Sequence, residues 1–383
     1  MMTLNKSELI HIRRHLHEIP ELALHEKETT AYLEKVVRRM PTRYLTIHRF
    51  APVPTALFVR VQGSDPKRTI GYRADMDALP VTEQTGLPFA SKHPGVMHAC
   101  GHDIHMTVAL GILSYFATNQ PKDNLVFFFQ PAEEADSGGK LVYDKGGFSG
   151  KFKPDEFYAL HDNPNLPAGT IGCRKGTLTA GTNEVNVDLI GKSGHAAYPQ
   201  KANDMVVAAA QYLSQVQAVI SRSISPLKSG VITFGKVRAG VIRNVIAGHA
   251  RLEGTIRGLT QGMIQRIDNH LKMIGDGIAA SFGCQVETQF NQGGYWPVTN
   301  NNKLTHFFIH YMKHCSKVNF VYTQPVMTGE DMGYLLHKFP GTMFWLGVQD
   351  SSQLHSSTFN PKESAIPIGV NEITDFLKAR MQK

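Results

Sequence analysis

The feature that most restricts the fold is a set of short apolar runs that lack the alternation of a half-exposed strand. The run LVFFFQ at 125–130 begins with five consecutive apolar residues. A strand needs such a run when both of its faces are covered, as in a sheet with helices on both sides. Comparable runs occur at 56–61, 68–74, 156–161 and 341–348. The sequence therefore predicts an α/β fold.

Helical segments lie between and before these runs. The segment 6–40 carries apolar residues at helical spacing and is interrupted by Pro20, which predicts two helices. The segment 103–118 predicts a third helix, with Asp103 as its N-cap.

The pattern changes between residues 182 and 291. Alternating strands such as NEVNVDLIG, an amphipathic helix at 203–224 and further elements follow one another in the order βαββαβ. This order is typical of a compact α+β unit with a four-stranded sheet. Since 383 residues exceed one typical domain, we expect a discontinuous α/β domain of residues 1–181 and 292–383, interrupted by this smaller domain.

Composition narrows the function classes. The 40 Lys and Arg exceed the 32 Asp and Glu by 8, but no basic run is longer than two residues. A dispersed charge of this kind does not predict nucleic-acid binding. No apolar run has the length of a membrane span, and the N-terminus does not resemble a signal peptide. The dispersed charge does permit attraction to anionic small molecules. The four cysteines form no CxxC pair, so we expect a cytoplasmic protein with free thiols.

Polar residues that bind metals follow the predicted strands. Five segments contribute these acidic, histidine and cysteine residues. They are Asp75, Asp77, Cys100, His102, Glu133, Glu134, His161 and His355. Functional groups in open α/β sheets gather beyond the carboxyl ends of the strands. Imidazole, carboxylate and thiolate are suitable ligands for Zn²⁺, Co²⁺ or Mn²⁺, and a shared thiolate or carboxylate can bridge two ions.

Three stretches have more than one interpretation. HACGHDIH at 98–105 suits metal ligands, a nucleophile with its base, or a histidine-rich loop without chemistry. In the doublet Glu133-Glu134, one carboxylate can bind metal while the other acts as a general base; the alternative is a solvated helix start. His306, His310 and His314 have helical spacing but no acidic partner, which favours a solvated helix face.

The motifs RADMDALP, MHACGHD, FFFQPAEE, LHDNP, SGHAAYP and EGTIRG occur in this order. Together they resemble the metal-dependent amidohydrolases of the M20 peptidase family, in particular the aminoacylase and N-acyl-amino-acid amidohydrolase branch. The resemblance extends over essentially the whole chain. It implies a metallopeptidase-like catalytic domain, a mixed sheet flanked by helices, with an inserted α+β lid and dimerisation domain of four strands.

The resemblance also implies roles for individual residues. It implies one or two divalent metal ions and a ligand set of Cys100, at the bridging position, with His102, Glu134, His161 and His355. It implies Glu133 as the general base for metal-activated water, and Asp75 as a partner that orients the ligand His102. In the inserted domain, His195 is implied to stabilise the oxyanion, often across a homodimer. Asn244 and Arg257 are implied to hold the substrate carboxylate. His195 as an ordinary loop residue and Arg257 as a surface ion-pair residue remain alternatives.

Longer matches indicate the substrate. TIGYRADMDALPVTEQTGLPFAS and MTGEDMGYLLHKFPGTMFWLGV are similar to the family members that deacetylate N-acetyl-L,L-2,6-diaminopimelate for lysine biosynthesis. Glu330 or Asp331 is the candidate partner of the distal ammonium group of that substrate. The alternatives are a broader aminoacylase or hippurate hydrolase, and a non-catalytic amino-acid-binding scaffold.

Overall fold

The computed structural model describes residues 3–314 and 316–383, so Cys315 lies outside the described residues. In chain order the helices are α1 (Lys6–Glu18), α2 (Lys27–Arg38), α3 (His102–Thr118), α4 (Gly138–Asp144), α5 (Met205–Ala218), α6 (Gln261–Phe282), α7 (Asn302–His314), α8 (Met332–Lys338) and α9 (Ala365–Arg380). The strands are β1 (Leu45–Arg49), β2 (Leu57–Val61), β3 (Thr69–Asp75), β4 (Asn124–Gln130), β5 (Glu156–Asn163), β6 (Ile171–Cys173), β7 (Gly176–Thr179), β8 (Gly181–Ile190), β9 (Gly194–His195), β10 (Gly230–Ala239), β11 (Val245–Ile246), β12 (His249–Gly258), β13 (Gln285–Asn291), β14 (Val298–Asn300), β15 (Phe320–Tyr322) and β16 (Gly341–Gly347).

Contacts divide the chain into two compact units. The first contains the chain up to Leu178, then Val298–Gln324 and Asp331–Lys383. Its sheet has the order β1-β2-β4-β3-β5-β16-β6-β15. The four strands β4, β3, β5 and β16 run parallel to one another. Strand β2 pairs antiparallel with β1 and β4, and β6 pairs antiparallel with β16 and parallel with β15. The predicted α/β class with a mixed sheet is confirmed, and the carboxyl ends of the four parallel strands meet at one edge.

Helix α3 is the central helix of this unit. It packs against α1, α9 and β3, and nearly all of its residues are buried. The prediction of Asp103 as its N-cap is wrong. The N-cap is Gly101, and the Asp103 carboxylate instead lies 2.9 Å from Arg13 Nε and accepts a 2.8 Å hydrogen bond from His17 Nδ1. A buried guanidinium therefore determines where this carboxylate points.

The second unit contains Thr179–Pro297 and Pro325–Glu330. Its four long strands form an antiparallel sheet in the order β10-β12-β8-β13, and helices α5 and α6 pack on it. This is the predicted βαββαβ sequence of elements. The unit extends beyond the predicted 182–291 because Ala180 N donates to Val326 O and Thr182 N donates to Tyr295 O. None of the described helices is long and apolar enough to cross a membrane.

Candidate metal centre

The candidate site lies at the edge where the parallel strands of the first unit end. Asp75 is the last residue of β3, and His161 lies near the end of β5. Glu133 and Glu134 follow β4. The loop before α3 brings Cys100, and the first residue of α3 is His102. These segments are far apart in sequence, but the parallel order of the strands places their ends side by side.

Cys100, His102 and His161 form one set of metal donors. One donor atom from each lies within 4.8 Å of the others, and all three residues are buried. The Cys100 Sγ and His161 Nε2 atoms are 3.5 Å apart. Both histidines donate their Nδ1 proton to a main-chain carbonyl, of Asp77 for His102 and of Asp162 for His161. Nε2 is therefore the ring atom that each histidine offers to a metal ion, as in metal sites where a carbonyl fixes the tautomer.

Cys100, Glu134 and His355 form a second set with the same 4.8 Å limit. His355 Nε2 lies 3.6 Å from Glu134 Oε1. His355 has a left-handed backbone with φ of 66°, and its amide donates to Ala99 O, beside Cys100. The two sets share Cys100, as the bridging position assigned to this residue requires.

Glu133 lies beside both sets without belonging to either. It is buried, and its Oε1 accepts a 3.3 Å hydrogen bond from Asp331 N. With His102 and Glu134 it forms a further group within 4.8 Å. A carboxylate at this distance from the donors is well placed to exchange protons with a molecule bound there.

Asp75 does not orient His102 as expected. Its Oδ1 lies 2.5 Å from His105 Nδ1, and its Oδ2 accepts a hydrogen bond from Arg73. The distance from Asp75 Oδ2 to His102 Nε2 is 3.6 Å, too long for a hydrogen bond. His105 lies one turn after His102 on α3, so it faces the end of β3 directly, and the expected partner of Asp75 was wrong.

The electrostatics of the site favour a bound cation. Burial alone lowers the pKa of His102, but the Asp75 carboxylate and then Asp77 outweigh it and raise the pKa to about 9. Burial, followed by the Glu134 and Asp162 carboxylates, raises the pKa of the Cys100 thiol. Among the described residues, His102 Nε2 and Glu134 Oε1 are buried and make no hydrogen bond. Buried polar atoms without a hydrogen bond are expected where they serve as ligands of an ion.

One glycine is required by the geometry. Gly101 has φ of 75°, and a Cβ built on it would lie 2.4 Å from Asp162 Oδ2. The chain between Cys100 and His102 can therefore turn only if residue 101 has no side chain.

The other predicted site residues lie in the second unit. His195 is exposed in β9, with its Nδ1 accepting a hydrogen bond from Ala197 N, and Asn244 is exposed in the turn before β11. Arg257 in β12 is half-buried and donates to Thr182 Oγ1, and burial lowers its pKa. Glu330 is buried.

Asp331 is not available for the distal ammonium group. Arg73 Nη2, Gln130 Nε2 and Gly139 N all donate to its carboxylate, and it is fully buried in the first unit. The sequence analysis also missed Asp162, which lies 3.1 Å from His105 Nε2. The quoted motif LHDNP contains it, so its position beside His161 was the available signal. His306, His310 and His314 are exposed on α7.

Comparisons with known proteins agree with this architecture. A model of peptidase family M20/M25/M40 matches residues 71–379. A protein of Lactobacillus acidophilus named N-acetyldiaminopimelate deacetylase is 67% identical over 382 residues, 100% of both chains. One of the same name from Limosilactobacillus reuteri is 66% identical over 99% of this chain and 100% of its own. The crystal structure of a dinuclear metal-binding peptidase of the M20 family from Bacillus subtilis has a TM-score of 0.86 and 29% identity, with 98% of both chains covered.

Proposed function

This chain belongs to peptidase family M20/M25/M40, and on that premise we propose that it hydrolyses N-acetyl-L,L-2,6-diaminopimelate to L,L-diaminopimelate and acetate in lysine biosynthesis. The observation that carries the reaction type is the pair of donor sets that share Cys100, with Glu133 beside them. The substrate is supported by the relatives named N-acetyldiaminopimelate deacetylase, which match along the full length.

The donor atoms fit one or two divalent ions. Cys100, His102 and His161 offer a thiolate and two imidazoles, and Glu134 with His355 adds a carboxylate and a third imidazole. This mixture suits Zn²⁺, Co²⁺ or Mn²⁺ better than Mg²⁺ or Ca²⁺, which prefer oxygen ligands. A bound divalent ion supplies Lewis acidity, which polarises a carbonyl oxygen and lowers the pKa of water.

Glu133 is the residue that moves protons. It takes a proton from the water that attacks the acetyl carbonyl and returns it to the amine that leaves. The Asp331 amide, 3.3 Å from Glu133 Oε1, holds the base in place. Arg73 in turn connects the Asp331 and Asp75 carboxylates through two buried ion pairs.

Residues of the second unit recognise the rest of the substrate. The half-buried Arg257 guanidinium, with Asn244, binds the substrate carboxylate, since a guanidinium fork matches a carboxylate in two hydrogen bonds. His195 donates to the oxyanion, and Glu330 pairs with the distal ammonium group. The resemblance implies these roles, and we propose them for this chain.

The second unit also supports a homodimer. Strand β10 is an edge strand of the four-stranded sheet. Val237 on this strand and Val241 and Ile242 just beyond it are exposed. An edge strand with exposed apolar residues is a ready surface for pairing with a second copy. His195 then acts either within its own chain or across the dimer. The described cysteines are free thiols, which supports a cytoplasmic location.

The test of the proposed base is the substitution Glu133→Gln. Metal-stripped protein is reconstituted with Zn²⁺, Co²⁺ or Mn²⁺, and acetate release from N-acetyl-L,L-2,6-diaminopimelate is measured. Loss of a general base lowers kcat by about 10²–10⁴-fold, while metal content stays that of the wild type. The matched control is Glu28→Gln, an exposed residue of α2, which should keep wild-type kcat. Equal activity of wild type and Glu133→Gln would contradict the assignment.

A further inference from the structure

The turn that carries Glu133 has an unusual backbone. Ala132, directly before Glu133, has φ of 56°, in the left-handed region that residues with a Cβ seldom adopt. Its carbonyl accepts a hydrogen bond from Gly138 N at 2.8 Å. Such a conformation persists only when its surroundings hold it, and residues of this kind cluster at functional sites.

A buried carboxylate from a distant segment holds this turn. Glu26 is fully buried, and its Oε1 accepts hydrogen bonds from Ala132 N at 2.8 Å and from Leu24 N at 2.9 Å. Leu24 also has a left-handed backbone, with φ of 61°. One oxygen atom therefore binds the amides of two of the five described non-glycine residues with positive φ.

The Glu26 side chain is not used for the helix that it precedes. Glu26 is the N-cap residue of α2, but its side chain makes no capping hydrogen bond. The amides of the first turn of α2 are served by Glu21, whose carboxylate accepts from Glu28 N at 3.1 Å and Thr29 N at 2.9 Å. Glu26 is therefore directed to the turn after β4.

Glu133 lies between two amides that are held by carboxylates. Glu26 binds the amide of Ala132, and Asp77 Oδ2 accepts from Glu134 N at 2.9 Å. The main chain on both sides of Glu133 is thus fixed by side chains from two other segments. Releasing either amide frees the backbone that sets the direction of the Glu133 side chain.

We propose that Glu26 is a positioning residue, which holds Ala132 in its left-handed conformation and so directs Glu133 towards the reacting water. The proposal rests on the function proposed for Glu133. Glu26 acts through the main chain and touches neither substrate nor metal donor.

The test compares Glu26→Gln with Glu26→Leu. Glutamine keeps a side-chain oxygen at the Oε1 position, whereas leucine fills the space but accepts no hydrogen bond. Because a small displacement of a reacting group costs about 100-fold in rate, we expect kcat of Glu26→Leu to fall by about 10–100-fold. KM and metal content should stay close to the wild type, and Glu26→Gln should retain most of the wild-type kcat. The matched control is Glu21→Leu, which removes two amide acceptors from the same segment but should leave kcat unchanged.

Amide hydrogen exchange gives a second readout that does not depend on turnover. The Ala132 amide should exchange faster in Glu26→Leu than in the wild type, and at the wild-type rate in Glu26→Gln and Glu21→Leu. If Glu26→Leu fails to fold, Glu26→Asp takes its place, because its shorter side chain also withdraws the oxygen from Ala132.

Three results would overturn the proposal. They are an unchanged kcat in Glu26→Leu, an equal loss of kcat in Glu26→Gln, and an Ala132 amide that exchanges at the wild-type rate without its acceptor. A wild-type protein that turns over no substrate would instead refute the proposed function, and the exchange of the Ala132 amide would still decide whether Glu26 holds the turn.

Discussion

Replacing Glu26 by glutamine should change how the stability of the protein depends on pH. Burial, followed by the nearby Asp77 carboxylate, raises the pKa of Glu26 from 4.5 to about 7 in the folded protein. The unfolded chain ionises this group near its ordinary pKa, so between the two values the folded state binds more protons than the unfolded state. The contribution of Glu26 to the free energy of unfolding therefore decreases as pH rises from about 4.5 to about 7. Above about pH 7 this contribution stays nearly constant.

The size of the effect follows from the two pKa values. Their difference corresponds to about 3 kcal/mol, at 1.36 kcal/mol for each tenfold change in proton affinity. Glutamine does not titrate and has nearly the same shape as the protonated acid. The free energy of unfolding of Glu26→Gln should therefore be close to that of the wild type near pH 4.5. Near pH 8 it should be larger by up to about 3 kcal/mol.

The assay is urea denaturation of metal-stripped protein at several pH values from 5 to 8. Trp345 lies in β16 of the first unit, and its fluorescence reports the unfolding of that unit if Trp296 is replaced by phenylalanine in all variants. Glu21→Gln is the control and should keep the wild-type pH dependence, since Glu26 is still present. If the free energies of unfolding of Glu26→Gln and the wild type differ by the same amount at every pH from 5 to 8, the reasoning is refuted.

Three further substitutions test the site and its support. Cys100→Ser should lower metal affinity by at least about 100-fold, since even an outer partner of a ligand contributes 10–100-fold, and metal content after dialysis against a weak chelator measures this. Gly101→Ala should lose both metal binding and stability because its Cβ would collide with Asp162, and an unchanged melting temperature would contradict this. Asp103→Asn should lower the free energy of unfolding by about 3–5 kcal/mol, because Arg13 loses a buried partner, and denaturant titration at pH 7 checks it.

The strands and their site residues were predictable because the signal is local. A continuous apolar run such as 125–130 indicates a strand covered on both faces, and the polar residues after it then lie at the edge of the sheet. Glu133 and His161 could be recognised in this way. The order of the strands was not local information, so which ends are neighbours had to come from the structure.

Contacts between distant segments explain what the sequence analysis missed. Asp103 has the residue type and position of an N-cap, but Arg13, 90 residues earlier, binds its carboxylate. Asp75 was expected to orient His102, yet the angular position of α3 against β3 brings His105 to it instead. Glu26 lies at the start of an amphipathic helix, a common place for a solvated acid, and nothing in its neighbourhood in the sequence reveals the amide of Ala132.

The most direct measurement of the central claim is kcat/KM for three substrates with the metal-reconstituted wild-type protein. They are N-acetyl-L,L-2,6-diaminopimelate, N-acetyl-methionine and hippurate, each assayed with and without chelator. We expect metal-dependent turnover that strongly favours the diaminopimelate compound. Comparable turnover of all three would make the protein a broad N-acyl-amino-acid amidohydrolase, and no turnover of any of them with any metal would contradict the account.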